Sequence, residues 1–324
     1  MKQGATDPRP LEPGVWAVLA TPFRGEELEV DLASLERLAR AYSGAGVTGL
    51  VALGVLGEAA RLSVEEKRLV LETVVEAAGD LPVVCGLSAS ATSPAVEEAC
   101  AAARAGARAV MVLVNSADAA TLARHLQSIH TACGLGIVVQ DHPASTGIAI
   151  SSRALIECVH AVEAVVAVKS EAPPTAPTIA AIARAEHIPV FGGLGGVGLL
   201  DELLAGSAGA MTGFAVPEAL VATVRAWKDG GYAVAREAFI PWMPLVLFEA
   251  QDKVSLALRK EILRRRGFID EAGVRPPGAP MPESLYGSLD AHLSAVAPHL
   301  AALRHGRPDG GGSRCGVSRE RTVG

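Results

Sequence analysis

Eight short β-forming runs, each followed by an amphipathic stretch, fill most of this 324-residue chain and leave few folds open to it. The runs are Val15–Thr21, Gly49–Gly54, Pro82–Gly86, Ala109–Val114, Gly136–Asp141, Ala164–Lys169, Pro189–Gly192 and Gly209–Gly213. Helical patterns follow them at Asp31–Ser43, Ser63–Ala78, Ser93–Ala105, Ala119–Ala132, Ser151–His160, Pro177–Ala185, Gly198–Ala205 and Pro217–Lys228. A strand covered on both faces reads as an unbroken apolar run, whereas a half-solvated strand alternates. The runs here are largely unbroken, so a parallel sheet is expected. Eight such units within about 250 residues match an α/β fold of the (β/α)8 TIM barrel type. The rival, a doubly wound open sheet, ordinarily carries a GxGxxG turn after its first strand. Here that strand runs into Thr21-Pro22-Phe23.

After the eighth unit the pattern is helical only, at Tyr232–Arg265 and Pro282–Arg304, with a Pro/Gly-rich loop between. Pro241 and Pro244 are expected to break or kink the first of these. The expected division is an N-terminal arm at 1–13, the barrel at 14–229, a C-terminal helical extension at 230–305, and a disordered Gly/Ser/Arg tail at 306–324. The basic cluster Arg259-Lys260…Arg264-Arg265-Arg266 reads as a solvated helix end.

Composition excludes several classes of function. A formal charge of -6 gives no nucleic-acid footprint. The cysteines are odd in number and scattered, without CxxC or CxxH spacing, so neither a disulfide framework nor a zinc site is expected. The first residues are polar and Pro-rich, unlike a signal peptide, and no apolar run is long enough to span a bilayer. The expectation is a cytoplasmic protein without metal or cofactor.

In a barrel, chemistry gathers where the strands end. Lys169 closes the apolar run Ala164-Val165-Val166-Ala167-Val168 and is the only lysine at a strand end. An amine at the rim of a dry core can be kept neutral and can form a Schiff base with a 2-oxo acid. The other strand ends offer Thr21, the loop Gly54-Val55-Leu56-Gly57-Glu58, and Gln140-Asp141-His142. Strand seven ends in Gly192-Gly193-Leu194-Gly195-Gly196, which reads equally as a flexible loop or as a cradle for a phosphate or carboxylate. A phosphate cradle would make the chain a sugar-phosphate-binding barrel instead.

These motifs carry a resemblance. Ala20-Thr21-Pro22-Phe23, Gly54…Gly57-Glu58, Pro143…Thr146-Gly147 and Val168-Lys169 are similar, in order and spacing, to the dihydrodipicolinate synthase / N-acetylneuraminate lyase superfamily. The resemblance covers roughly residues 13–298 and implies a barrel with a helical extension, a lysine imine to pyruvate or another 2-oxo acid, and a dimer or tetramer. Lys169 matches the imine lysine. The segments Gln140-Asp141-His142-Pro143, Phe191–Gly195 and Glu249–Gly267 resemble the subgroup acting on 2-keto-3-deoxy sugar acids by aldol cleavage or dehydration.

The departures are informative. The family's loop Gly-Thr-Thr-Gly-Glu is Gly54-Val55-Leu56-Gly57-Glu58 here, so two hydroxyls are missing and backbone N–H groups of Val55 and Leu56 are left to bind a carboxylate. The strand-four tyrosine pair falls near Leu113-Val114, and the strand-five relay tyrosine matches Gln140, which cannot exchange protons near neutral pH. Proton carriers must then come from Asp141, His142, Glu58, Glu171 or water. Asp141 reads equally as a loop cap and His142 as a surface residue, while Gln140 suits a substrate hydroxyl or a positioned water. Thr146, Gly147 and Gly193 are expected to shape the substrate site. A barrel that keeps the lysine but has lost turnover, serving regulation, is the remaining reading.

Overall fold

The computed structural model describes residues 8–305; the expected tail at 306–324 and residues 1–7 of the expected arm lie outside them. The chain opens with β1 (Gly14–Val18) and then a two-stranded antiparallel pair, β2 (Phe23–Arg24) and β3 (Glu29–Val30), which no sequence pattern announces. There follow β4 (Gly49–Ala52), β5 (Val83–Gly86), β6 (Ala109–Leu113), β7 (Gly136–Asp141), β8 (Val165–Ser170), β9 (Val190–Gly192) and β10 (Gly209–Thr212). Apart from β2 and β3, these strands form one closed parallel barrel of eight, in which β1 pairs with both β4 and β10. This is the expected TIM barrel.

Helices α1 (Leu32–Ser43), α2 (Val64–Ala78), α3 (Thr92–Arg104), α4 (Ala119–Cys133), α5 (Pro143–Thr146), α6 (Ser152–Ala161), α7 (Thr175–Ala185), α8 (Leu199–Leu204) and α9 (Pro217–Phe239) surround the strands. Local chemistry sets their ends. Ser63 accepts from the Glu66 N–H while Glu66 accepts from the Ser63 N–H, a capping box that starts α2. α9 bends at Gly231, whose φ of 68° takes the chain out of helical geometry and into the extension. The extension comprises α10 (Met243–Glu249), α11 (Ser255–Arg265) and α12 (Tyr286–His305).

Strand alternation sorts the core into two layers. Trp16, Val51, Val84, Met111, Phe191 and Met211 fill the lumen, whereas Val15, Ala17, Leu50 and Val83 face the helices. Gly49 admits the Trp16 ring: a Cβ there would lie 2.3 Å from it. Leu11 packs against the lumen layer, its N–H donating to the Val166 carbonyl at 3.0 Å. Each fully buried side chain of this kind contributes about 1.5–3 kcal/mol. The lumen is thus packed rather than open, and reactive groups can stand only at its ends.

The basic cluster departs from expectation. Arg259 and Lys260 are 2% and 0% exposed, each against a glutamate, whereas Arg264 at the end of the same helix is exposed as expected. Among the described residues no helix is long and apolar enough to cross a membrane.

Candidate active site

Lys169 points into the barrel because of a one-residue irregularity. Ile137 pairs with Val165 but Val138 pairs with Ala167, so Val166 is an extra residue in β8. Val166 and Ala167 both join the lumen layer, while Val165 and Val168 face the helices. Strict alternation from an inward Val166 would send Lys169 outward. The bulge resets the phase, so Ala167, Lys169 and Glu171 share the inner face. Gly136 makes the bulge possible: a Cβ there would lie 2.6 Å from a Val166 methyl.

Glu171 holds the centre of the resulting cluster. Its Oε2 lies 3.1 Å from Lys169 Nζ and accepts from Gln140 Nε2 at 2.6 Å. Its Oε1 accepts from the Leu194 N–H at 3.1 Å, and its own N–H donates to the Asp141 carbonyl at 2.8 Å. Burial pushes the Glu171 carboxyl up, but Lys169, His142, the Gln140 amide and the Leu194 N–H outweigh burial and hold it below the usual range. Gly193 exists for this carboxylate: a Cβ there would lie 2.1 Å from Oε1. Lys169 and Glu171 keep only 5% and 7% of their side-chain surface, so the pair meets in a nearly dry mouth.

The other expected residues divide. Gln140 is register-paired with Lys169 and faces inward, where it orients Glu171. His142 is half-buried, shares a 2.6 Å hydrogen bond between Nδ1 and Ser145 Oγ, and is close enough to Glu171 and Lys169 to feel both. Burial chiefly lowers its pKa, which favours neutral imidazole. Asp141 faces the helices, as alternation requires; burial and then Glu171 push its carboxyl up to about 6, and Oδ1 has no partner. Thr146 stays in its own turn, accepting from the Ile148 N–H at 3.1 Å, and Gly147 ends that turn with φ 69°. Thr21 Oγ1 donates to the Gly57 carbonyl at 2.7 Å and so pins the strand-two loop. Val55 and Leu56 form a short 3-10 turn with Gly57 at the mouth, and Gly54 packs near Val18 and Met111 of the lumen layer.

Two expected groups are already engaged. Glu58, expected at the substrate site or as a proton carrier, is buried among basic partners. Its oxygens are consumed by Lys260 Nζ at 2.5 Å, Arg61 at 2.7 Å and the Arg275 N–H at 3.0 Å. The glycine loop is no open phosphate cradle. The Leu194 N–H serves Glu171, and the Gly195 N–H donates to Thr212 Oγ1 at 2.8 Å. A carboxylate sits where a phosphate would have to bind, and like charges exclude one another.

The chain matches the dihydrodipicolinate synthetase family over residues 12–296. It belongs to that family. Among its relatives, L-2-keto-3-deoxyarabonate dehydratase of Azospirillum brasilense is 30% identical over 304 residues, covering 91% of this chain and 96% of that one. The 4-hydroxy-tetrahydrodipicolinate synthase of Thermomicrobium roseum is 29% identical over 298 residues, covering 90% and 96%. The crystal structure of dihydrodipicolinate synthase from Rhodopseudomonas palustris superposes with a TM-score of 0.83 at 28% identity, covering 89% and 98%. The chain is therefore a lyase-type enzyme of this family, as its motifs implied.

In the sequence Glu171 is one of several candidate proton carriers; the fold sets it 3.1 Å from the Lys169 amine. The signal was available, since residues two apart on a strand share a face. Arg259, which reaches the exit of β10 from α11, gave no signal of that place; it depends on how the extension folds back.

Proposed function

We propose that this chain dehydrates a 2-keto-3-deoxy acid through an imine at Lys169, with Glu171 as the proton carrier. The observation that carries the proposal is the 3.1 Å contact between the inward Lys169 amine and Glu171, which Gln140 and Leu194 orient. Resemblance to L-2-keto-3-deoxyarabonate dehydratase over nearly the whole chain supports the choice of dehydration.

The chemistry runs as follows. The ammonium passes a proton to Glu171, and the free amine attacks the substrate's C2 carbonyl. An Nζ–C2 bond forms, and the carbonyl oxygen leaves as water, taking one proton from Nζ and the one that Glu171 returns. The protonated imine draws electrons from C3, so Glu171, again a carboxylate, removes a C3 proton and an enamine forms. The enamine expels the C4 hydroxyl, which takes that proton from Glu171 and leaves as water. Hydrolysis of the conjugated imine frees Lys169, and the substrate has lost one water overall. One carboxyl group thus serves as base and acid in turn, work the family assigns to tyrosine hydroxyls and Gln140 cannot perform.

The decisive experiment is borohydride reduction with pyruvate present, followed by peptide mapping, beside turnover of 2-keto-3-deoxy acids. An adduct on Lys169, with both adduct and turnover lost in Lys169→Ala, is expected. A fully active Lys169→Ala variant would overturn the proposal.

A further inference from the structure

We infer that Arg259 recognises the substrate carboxylate, a role that rests on the imine reading and deepens it. Arg259 Nε donates to Glu249 Oε1 at 2.6 Å, and Glu249 Oε2 accepts from the Ala215 N–H at 3.0 Å. A carboxylate anchored just beyond β10 therefore aims the guanidinium. Nη1 has no hydrogen-bond partner, although Arg259 is 2% exposed. A buried donor left unpaired is costly, and its presence calls for a reason.

The direction of Nη1 supplies one. Met211 belongs to the lumen layer, so Gly213, two residues on, faces the barrel mouth as well. A Cβ at Gly213 would lie 2.6 Å from Nη1 and 2.9 Å from Leu56 Cδ1. Nη1 thus takes the place of a side chain at the mouth, beside the strand-two loop. In that loop Val55 and Leu56 stand where the family carries two hydroxyls, and neither side chain can donate a hydrogen bond. The guanidinium brings donors and charge back to this loop from another part of the chain, in a form suited to a carboxylate. Leu56, whose Cδ1 borders the same Gly213 position as Nη1, belongs to a three-residue turn beside exposed Val55.

The test measures borohydride trapping at Lys169 against concentration for two probes, pyruvate and its neutral analogue pyruvamide. Both carry the ketone; only pyruvate carries the anion. Wild type should favour pyruvate, and Arg259→Met should cut that preference by about tenfold or more, the scale of a charged hydrogen bond. Because Arg259→Met also strips Glu249 of its partner, Gly213→Ala provides the second variant. It retains both Arg259 and Glu249 and sets a methyl against Nη1, and its preference for pyruvate should fall in the same direction. A folded Arg259→Met or Gly213→Ala that weakens both probes equally, or neither, would overturn the assignment. A wild type that traps pyruvate no better than pyruvamide would do the same. Absence of any adduct in wild type would instead strike the imine reading itself.

Discussion

Lys169 and Lys260 are both buried, and both aim their amines at a glutamate: Lys169 Nζ lies 3.1 Å from Glu171 Oε2, and Lys260 Nζ lies 2.5 Å from Glu58 Oε1. Lys260 is fully buried. Burial pushes its amine down to about 8 in spite of Glu58. A search for perturbed groups alone would select it. Yet it is closed on every side, donating also to the Gly273 carbonyl at 2.7 Å and lying 4.2 Å above the Phe23 ring. Glu58 is equally saturated, and neither side chain has any exposed surface. The pair locks the extension to the strand-two loop. Lys169 has a single carboxylate partner, a sliver of open surface and a place at the mouth. Perturbation marks burial; function further needs a face that a ligand can meet.

Substitution should separate the two lysines by different readouts. Lys260→Met leaves Glu58 buried without its main counter-charge and should cost about 3–5 kcal/mol in denaturant melts. Adding Glu58→Gln should recover part of that loss, since the orphaned charge goes with it. Lys169→Met should abolish turnover while costing less stability than Lys260→Met. The reverse order of stabilities would break the contrast.

The partners of Lys169 can be graded next. Glu171→Gln should lower kcat by roughly 10²–10⁴, the usual worth of a positioned proton carrier. Gln140→Leu is milder and has a sign. The Gln140 amide donates to the charged form of Glu171 and helps hold its pKa down. Without that donor Glu171 takes up its proton at higher pH, so the acidic limb of the kcat/KM profile should move up by about 0.5–1 unit. Activity would be lost mainly on the acidic side and regained on the basic side. An unmoved limb would mean that Gln140 does not orient Glu171.

Why were some of these features legible in the sequence and others not? Unbroken apolar runs followed by amphipathic stretches displayed the barrel, because both periods are local properties. Lys169 was visible for the same reason, as the polar end of one such run. Its inward direction was not, since it depends on the extra residue Val166, which strand pairing alone reveals. The partners of Glu58 were invisible because Lys260 and Arg275 come from more than two hundred residues away. Arg259 and Lys260 looked like a solvated helix end because charge says nothing of what folds over it. Local periodicity was readable; long-range pairing was not.

Glu202 shows how a buried glutamate behaves with no lysine beside it, and it gives the smallest expected effect. It is 1% exposed on α8, accepts from Thr175 Oγ1 at 2.7 Å, and leaves Oε2 without a partner against Gly192. Burial, partly opposed by Thr175, pushes its carboxyl up to about 7 from an ordinary 4.5. Between those pH values the folded chain holds a proton that the unfolded chain has released. Stability from this group therefore falls as pH rises through that window and is fully present below it. Glu202→Gln imitates the protonated form at every pH, so it should leave stability near pH 4 unchanged and raise it by about 1–3 kcal/mol at pH 8. Asp141 titrates in an overlapping range, raised from 3.8 to about 6, so Asp141→Asn must be melted in parallel to apportion the slope. If Lys169 is what keeps Glu171 ionised, Lys169→Met should add a slope of the same sign as that of Glu202. A pH–stability curve in Lys169→Met identical to wild type would show that Gln140, His142 and Leu194 hold the Glu171 charge without the lysine.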